Sequence, residues 1–143
     1  VIQRCGQQTR TGQNGSWIVP DIVQAYTQLH HRGLAHSAEL WQDGQLVAGL
    51  YFVALGRALF GESMFTTVRD GSKLALCLLV SVARQHGIRM IDCQQNTRHL
   101  ASLGATEIPR ARFLTHMQAA QQQAALDWRS QPLYWDALLQ DPQ

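Results

Sequence analysis

Asp43-Gly44 is the feature that most constrains what this chain can fold into. A dipeptide of this type closes a two-residue β-hairpin turn, because both residues tolerate the positive φ such turns require. It stands between Glu39-Leu40-Trp41 and the apolar run Leu46-Val47-Ala48-Gly49-Leu50-Tyr51-Phe52-Val53, so the segment from Ser37 to Leu55 reads as a hairpin. Gly56-Arg57 makes a second turn into Ala58 to Ser63, giving three antiparallel strands in succession. Helices flank them. Pro20-Asp21 open one well, since Pro is tolerated in the first turn and Asp favours the positive end of the helix dipole. Ile22, Val23, Tyr26 and Leu29 then repeat at helical spacing as far as Gly33, so one face should pack on the sheet.

Asp70-Gly71-Ser72 precede a central helix, Lys73 to Gln85, with an apolar stripe of Leu74, Leu78, Leu79 and Val82 and a stop at His86-Gly87. Ile88 to Asp92 reads as the next strand. A strand reached through a helical crossover runs parallel to a neighbour, so the sheet should be mixed. Thr97 to Leu103 reads as a short helix closed by Gly104, a further element opens at Phe113, and Gln118 to Ala125 is a Gln/Ala-rich helical run. Trp128, Tyr134 and Trp135 should pack. The fold class is α/β (α+β), one domain over residues 1–143, with a mainly antiparallel sheet between helices.

Composition fits one globular domain: 143 residues, 45% hydrophobic and 15% charged, far from the disordered corner. The net charge of +2 is too small to announce a nucleic-acid partner. The three cysteines, Cys5, Cys77 and Cys93, form no CxxC, which argues against a disulfide framework or zinc knuckle and for a reducing cytoplasm. The longest apolar run, Leu74 to Ala83, falls well short of the roughly 20 residues that span a bilayer. Val1-Ile2 opens the chain without Met and without the marks of a signal peptide, so the sequence reads as a piece of something longer.

Two segments could carry chemistry. Gly61-Glu62-Ser63-Met64-Phe65 superficially resembles a nucleophile elbow, but Phe65 stands where the last Gly must be, which argues against a serine hydrolase. In Ile91-Asp92-Cys93-Gln94, Asp92 and Gln94 should share one strand face at the carboxyl end of the sheet, where open sheets bind ligands. If that strand neighbours the one bearing Glu62, two carboxylates and an amide converge on one cleft. From the residues alone, a carboxylate at a strand end is more often a turn or cap residue than a catalyst. Met64 and Phe65 read as core, and Trp17 as packed core or as a platform for a base. His30, His31, His36 and Glu39 straddle a helix end at a spacing that fits no metal-ligand pattern, so no metal is expected.

Taken together, several segments resemble the leucyl/phenylalanyl-tRNA–protein transferase family. They are Tyr26-Thr27-Gln28-Leu29-His30 with Gly33, Ala35-His36-Ser37-Ala38-Glu39-Leu40-Trp41, Gly61-Glu62-Ser63-Met64-Phe65 with Ser72-Lys73-Leu74-Ala75-Leu76, Ile91-Asp92-Cys93-Gln94, and His99-Leu100-Ala101-Ser102-Leu103-Gly104-Ala105. The resemblance runs in order from about Ser16 to about Phe113. It implies a GNAT-type catalytic domain, with the family's small N-terminal domain absent from this chain. It also implies a cytoplasmic, cofactor-free enzyme that moves Leu or Phe, with Met as a further option, from aminoacyl-tRNA to acceptor proteins whose N-terminal residue is Arg or Lys, marking them for degradation. No membrane is implied, and a monomer is the working state.

By the same resemblance Asp92, Gln94 and Glu62 are the polar residues of the active site. Leu50, Leu59, Met64, Leu76, Leu79 and Ile91 line an apolar pocket for the transferred side chain, and Trp17 lies against the terminal adenosine. The competing enzyme class, an acetyl-CoA-dependent N-acetyltransferase, needs a pyrophosphate-binding turn that opens a helix. The nearest match, Arg84-Gln85-His86-Gly87-Ile88-Arg89, closes one instead. A catalytically inert core binding peptide or RNA is the other alternative.

Overall fold

The computed structural model describes residues 1–8, 16–129, 131 and 133–139. The elements run α1 (Ile2–Gln7), α2 (Pro20–His31), β1 (Ala35–Gln42), β2 (Gln45–Leu55), β3 (Ala58–Thr66), α3 (Gly71–Gln85), β4 (Ile91–Asp92), α4 (Arg98–Ser102), α5 (Arg110–Gln121) and α6 (Trp135–Leu139). The four strands form one sheet in the order β1-β2-β3-β4. The first two pairings are antiparallel and the last is parallel, so the crossover through α3 does what its length and position predict.

The β1–β2 turn carries φ 51° at Asp43 and 74° at Gly44, the doubly positive pair of a type I′ turn. Pairing continues from Gln42↔Gln45 at the turn to Ala35↔Val53 at the far end. One face of the sheet receives α3: Leu50, Phe52, Ala54 and Leu59 pack with Ala75, Leu79, Ala83 and Ile88 in the largest core cluster. The other face is covered in two places. Cys5 of α1, Ile18, and Ile22, Val23 and Tyr26 of α2 lie over Tyr51 and Phe65, while Met117 and Ala120 of α5 lie over Ala58.

Strand β3 runs on to Thr66, past the Ser63 expected from sequence, and three further boundaries differ. Helix α1 was not expected; Gly6 lets it close on Ile18, whose carbonyl a Cβ would meet at 3.1 Å. Strand β4 is two residues long because Gly87 turns the chain at φ 70° and the Ile88 N–H bonds back to Ala83 O at 2.8 Å, outside the ladder. Helix α5 begins at Arg110 and absorbs both Phe113 and the first part of the Gln/Ala run. Trp128 does pack, edge-on to Phe52 at 4.9 Å, and Tyr134 lies edge-on to His86; the Trp135 side chain is outside the described residues. Among the described residues no helix is long and apolar enough to cross a membrane.

Candidate active site

The site begins with a fault in strand pairing. Along β2 and β3 the partners run Leu50↔Met64 and Tyr51↔Ser63, and then Phe52↔Gly61, so Glu62 has no partner and is the extra residue of a β-bulge. A bulge re-aims its side chain and strengthens the local twist. Here it turns the Glu62 carboxylate toward α2, where it interacts with the Tyr26 hydroxyl. Tyr26 is fixed by its ring, which meets the Tyr51 ring at 5.1 Å and 78°. Burial, followed by the hydrogen bond to Glu62 and its charge, holds the Tyr26 hydroxyl well above the usual tyrosine range.

The second strand supplies a turn. Leu59↔Ile91 and Phe60↔Asp92 are the parallel pairs of β3 and β4, so the two strands bearing Glu62 and Asp92 are neighbours, as the sequence reading required. Beyond Asp92 the expected alternation fails. Gln94 takes φ 62°, its backbone N–H donates to Asp92 Oδ1 at 2.7 Å, and its side-chain Nε2 donates to Gly61 O at 3.1 Å. Asp92 therefore acts on the neighbouring turn, and the Gln94 amide is held across the strand pair with its Oε1 left as an acceptor.

Between these strand ends, α2, the start of α3 and α4 lies a cavity of about 990 Å³. Its wall includes Trp17, Leu50, Glu62, Met64, Leu76, Leu79, Ile91 and Gln94 of the residues singled out from sequence. Two of that set lie elsewhere: Leu59 is 0% exposed, within the core beneath the cavity, and Asp92 stands beside the wall in contact with Gln94. Sequence reasoning passed over Tyr26, Ser63, Ser72, Cys93, His99 and Leu100, which also line it. For Tyr26 a signal was present, since it is the one hydroxyl in the apolar stripe of α2. Trp17 is 51% exposed with its ring at the cavity rim.

Two further groups bear on the chemistry of the region. Burial and the Asp92 charge push the Cys93 thiol up, so it stays protonated at neutral pH and is a poor nucleophile. The His30 and His36 rings are committed to backbone carbonyls, Ala35 O at 2.8 Å and Gly33 O at 3.1 Å, and Glu39 accepts from Ser37 and Trp41. No group of three potential ligands for a metal is found among the described residues.

Fold and cleft together define a mixed α/β domain whose apolar chamber opens at the carboxyl ends of a parallel strand pair and carries a carboxylate and an amide at its rim. Sequence comparison makes this specific. The profile of the family described as leucyl/phenylalanyl-tRNA protein transferase matches residues 1–118. A protein of that name from a Polaromonas species is 56% identical over 139 residues, covering 97% of this chain and 54% of the relative. Those of Albidiferax ferrireducens and Paraburkholderia phytofirmans are 53% and 52% identical, covering 97% and 90% of this chain and 55% and 53% of their own lengths. The chain belongs to the leucyl/phenylalanyl-tRNA protein transferase family, and it spans about half the length of the curated relatives it matches.

Proposed function

We propose that this chain is the catalytic part of an aminoacyl-tRNA–protein transferase of the cytoplasm, moving Leu or Phe from its tRNA to a protein that begins with Arg or Lys and so marking it for degradation. The observation that carries the reading is the position of Glu62 and Gln94 at the rim of a chamber walled by Leu50, Met64, Leu76, Leu79 and Ile91. The chamber takes the side chain of the aminoacyl group, with the polarizable Met64 adapting to either shape. Trp17 stacks on the terminal adenosine, which its exposed ring and rim position suit.

The ester is already activated, so the task is to bring an α-amine to its carbonyl. A C–N bond forms, the C–O bond to the ribose breaks, and the proton lost by the amine ends on the departing ribose oxygen. An α-amine titrates near pH 8, so a usable share is uncharged at neutrality. Gln94 Oε1 accepts from the amine and orients it, Asp92 holds the turn that presents Gln94, and the carboxylates of Glu62 and Asp92 attract the cationic acceptor side chain. Orientation of this kind is worth ~7–11 kcal/mol at best, against ~10²–10⁴-fold for a general base. A weakly basic amide is therefore enough.

The test is incubation of the chain with radiolabelled Leu-tRNA and a protein bearing N-terminal Arg, alone and with the remaining part of the Polaromonas relative supplied. RNase-sensitive transfer of Leu in either mixture is expected. Transfer from acetyl-CoA, or no transfer in either mixture, refutes the proposal.

A further inference from the structure

A second cavity of about 220 Å³, open to solvent, adjoins the first between α3, β4 and α4. The two share a wall one side chain thick: Leu76, Ile91, Cys93 and Leu100 line both. We infer that this partition sets the size of the transferred side chain, with Leu100 as the member that yields. The inference rests on the function proposed above and names the structural element that decides between its two substrates.

Packed interiors do not stretch to fit a larger guest; a wall moves only where there is empty space behind it. The second cavity, a groove open to solvent on one side, supplies that space. The four side chains differ in how firmly they are held. Leu76 rides on the 15-residue α3 and Ile91 sits in the β3–β4 ladder against Leu59. Cys93 sits between the ends of Asp92 and Gln94, whose own bond fixes that turn. Leu100 belongs to α4, a five-residue helix with no buried residue; its backbone is tied, the N–H to Thr97 Oγ1 at 3.1 Å and the carbonyl to the Leu103 and Ala105 N–H groups at 3.0 Å, so it is the side chain that is free to turn. A leucyl group is accommodated with the wall in place. A phenylalanyl ring reaches further and displaces the Leu100 side chain into the second cavity.

The experiment fills the second cavity from behind. Ala105 lines it and not the first, so Ala105→Leu takes up the space while every side chain of the aminoacyl chamber is kept. Leucyl transfer is expected to be unchanged, while kcat/KM for Phe-tRNA falls about tenfold relative to Leu-tRNA, the lower end of what one methylene decides in an apolar pocket. Leu100→Ala, which joins the cavities, is expected to shift the ratio the other way. Should Ala105→Leu fail to fold by circular dichroism, Val80→Met fills the same space from α3 and is read identically. Leucyl transfer with an unchanged Phe-to-Leu ratio in a folded variant overturns the partition and leaves the proposed function standing. Transfer of neither amino acid by the unaltered protein overturns both.

Discussion

Tyr26→Phe separates the role of Glu62 from the role of the helix that holds it. The substitution deletes one oxygen and keeps the ring, so the edge-on contact with Tyr51 at 5.1 Å survives. What is lost is the interaction of the hydroxyl with the Glu62 carboxylate, at most that of a hydrogen bond. Bonds to charged acceptors are worth ~1.5–3 kcal/mol, and the half-buried carboxylate can recruit water in place of the hydroxyl, so the stability loss should lie near ~1 kcal/mol. A carboxylate free to turn away from the acceptor loses more in function than in stability. The expected outcome is a rise of about tenfold in KM for a protein with N-terminal Arg, equivalent to ~1.4 kcal/mol, with KM for Leu-tRNA unchanged. Urea denaturation gives the first number and steady-state transfer with each substrate varied gives the second. A variant that is destabilised yet keeps the acceptor KM refutes the idea that Tyr26 positions Glu62, and an equal loss for both substrates shows instead that the whole cavity has changed.

Glu62→Gln keeps the shape of the side chain and removes its charge; a unit pair at 4 Å is worth at most ~4 kcal/mol near a protein surface, so a rise of at least tenfold in acceptor KM is expected, with Leu-tRNA binding by filter assay unaltered. The Tyr26 hydroxyl titrates later in the folded chain than in the unfolded one, so the folded state keeps a proton that the unfolded state releases. That contribution is whole below about pH 10 and is lost as pH rises further, and Tyr26→Phe should flatten the alkaline fall of the urea midpoint. At Gly71 a Cβ would meet Thr66 Oγ1 at 2.6 Å and the Ala48 Cβ at 2.7 Å. Overpacking of ~1–3 kcal/mol should then outweigh the ~1 kcal/mol that Ala gains over Gly in a helix, and Gly71→Ala should lower the urea midpoint without changing the slope.

The hairpin, the central helix and the parallel crossover were legible because their signals are local: Asp43-Gly44 states its own turn, and the α3 stripe its own period. The Glu62 bulge was not legible in this way. Its cause is a mismatch of register between β2 and β3, a property of two strands that neither shows alone. Gln94 misled for a related reason. Positive φ is signalled by Gly, Asn or Asp, and a Gln at φ 62° gives no warning that strand alternation ends at Asp92. The polar residues proposed for the site were read from strand ends and family resemblance, and the proposed apolar wall from the resemblance, of which the cavity takes in all but Asp92 and Leu59. Tyr26 was missed because an apolar stripe was read for its ring and not for its hydroxyl.

Gly61 ties these irregular features into one device. It faces Phe52 in the ladder, immediately precedes the bulged Glu62, and its carbonyl accepts from Gln94 Nε2 at 3.1 Å. Its φ is not positive, and a Cβ there would approach nothing closer than the Asp92 carbonyl at 3.6 Å, so neither backbone strain nor crowding by the protein calls for Gly. Yet Gly61 lines the cavity. A side chain at this position would enter the cavity beside Glu62 and Gln94, the groups that the proposed reaction gives to the acceptor's cationic side chain and to its α-amine. Gly at a strand interior costs ~0.5–1 kcal/mol relative to Ala. That cost, at a position where the fold would accept a methyl group, is what a strand shows when the space beside it is reserved for something other than the protein.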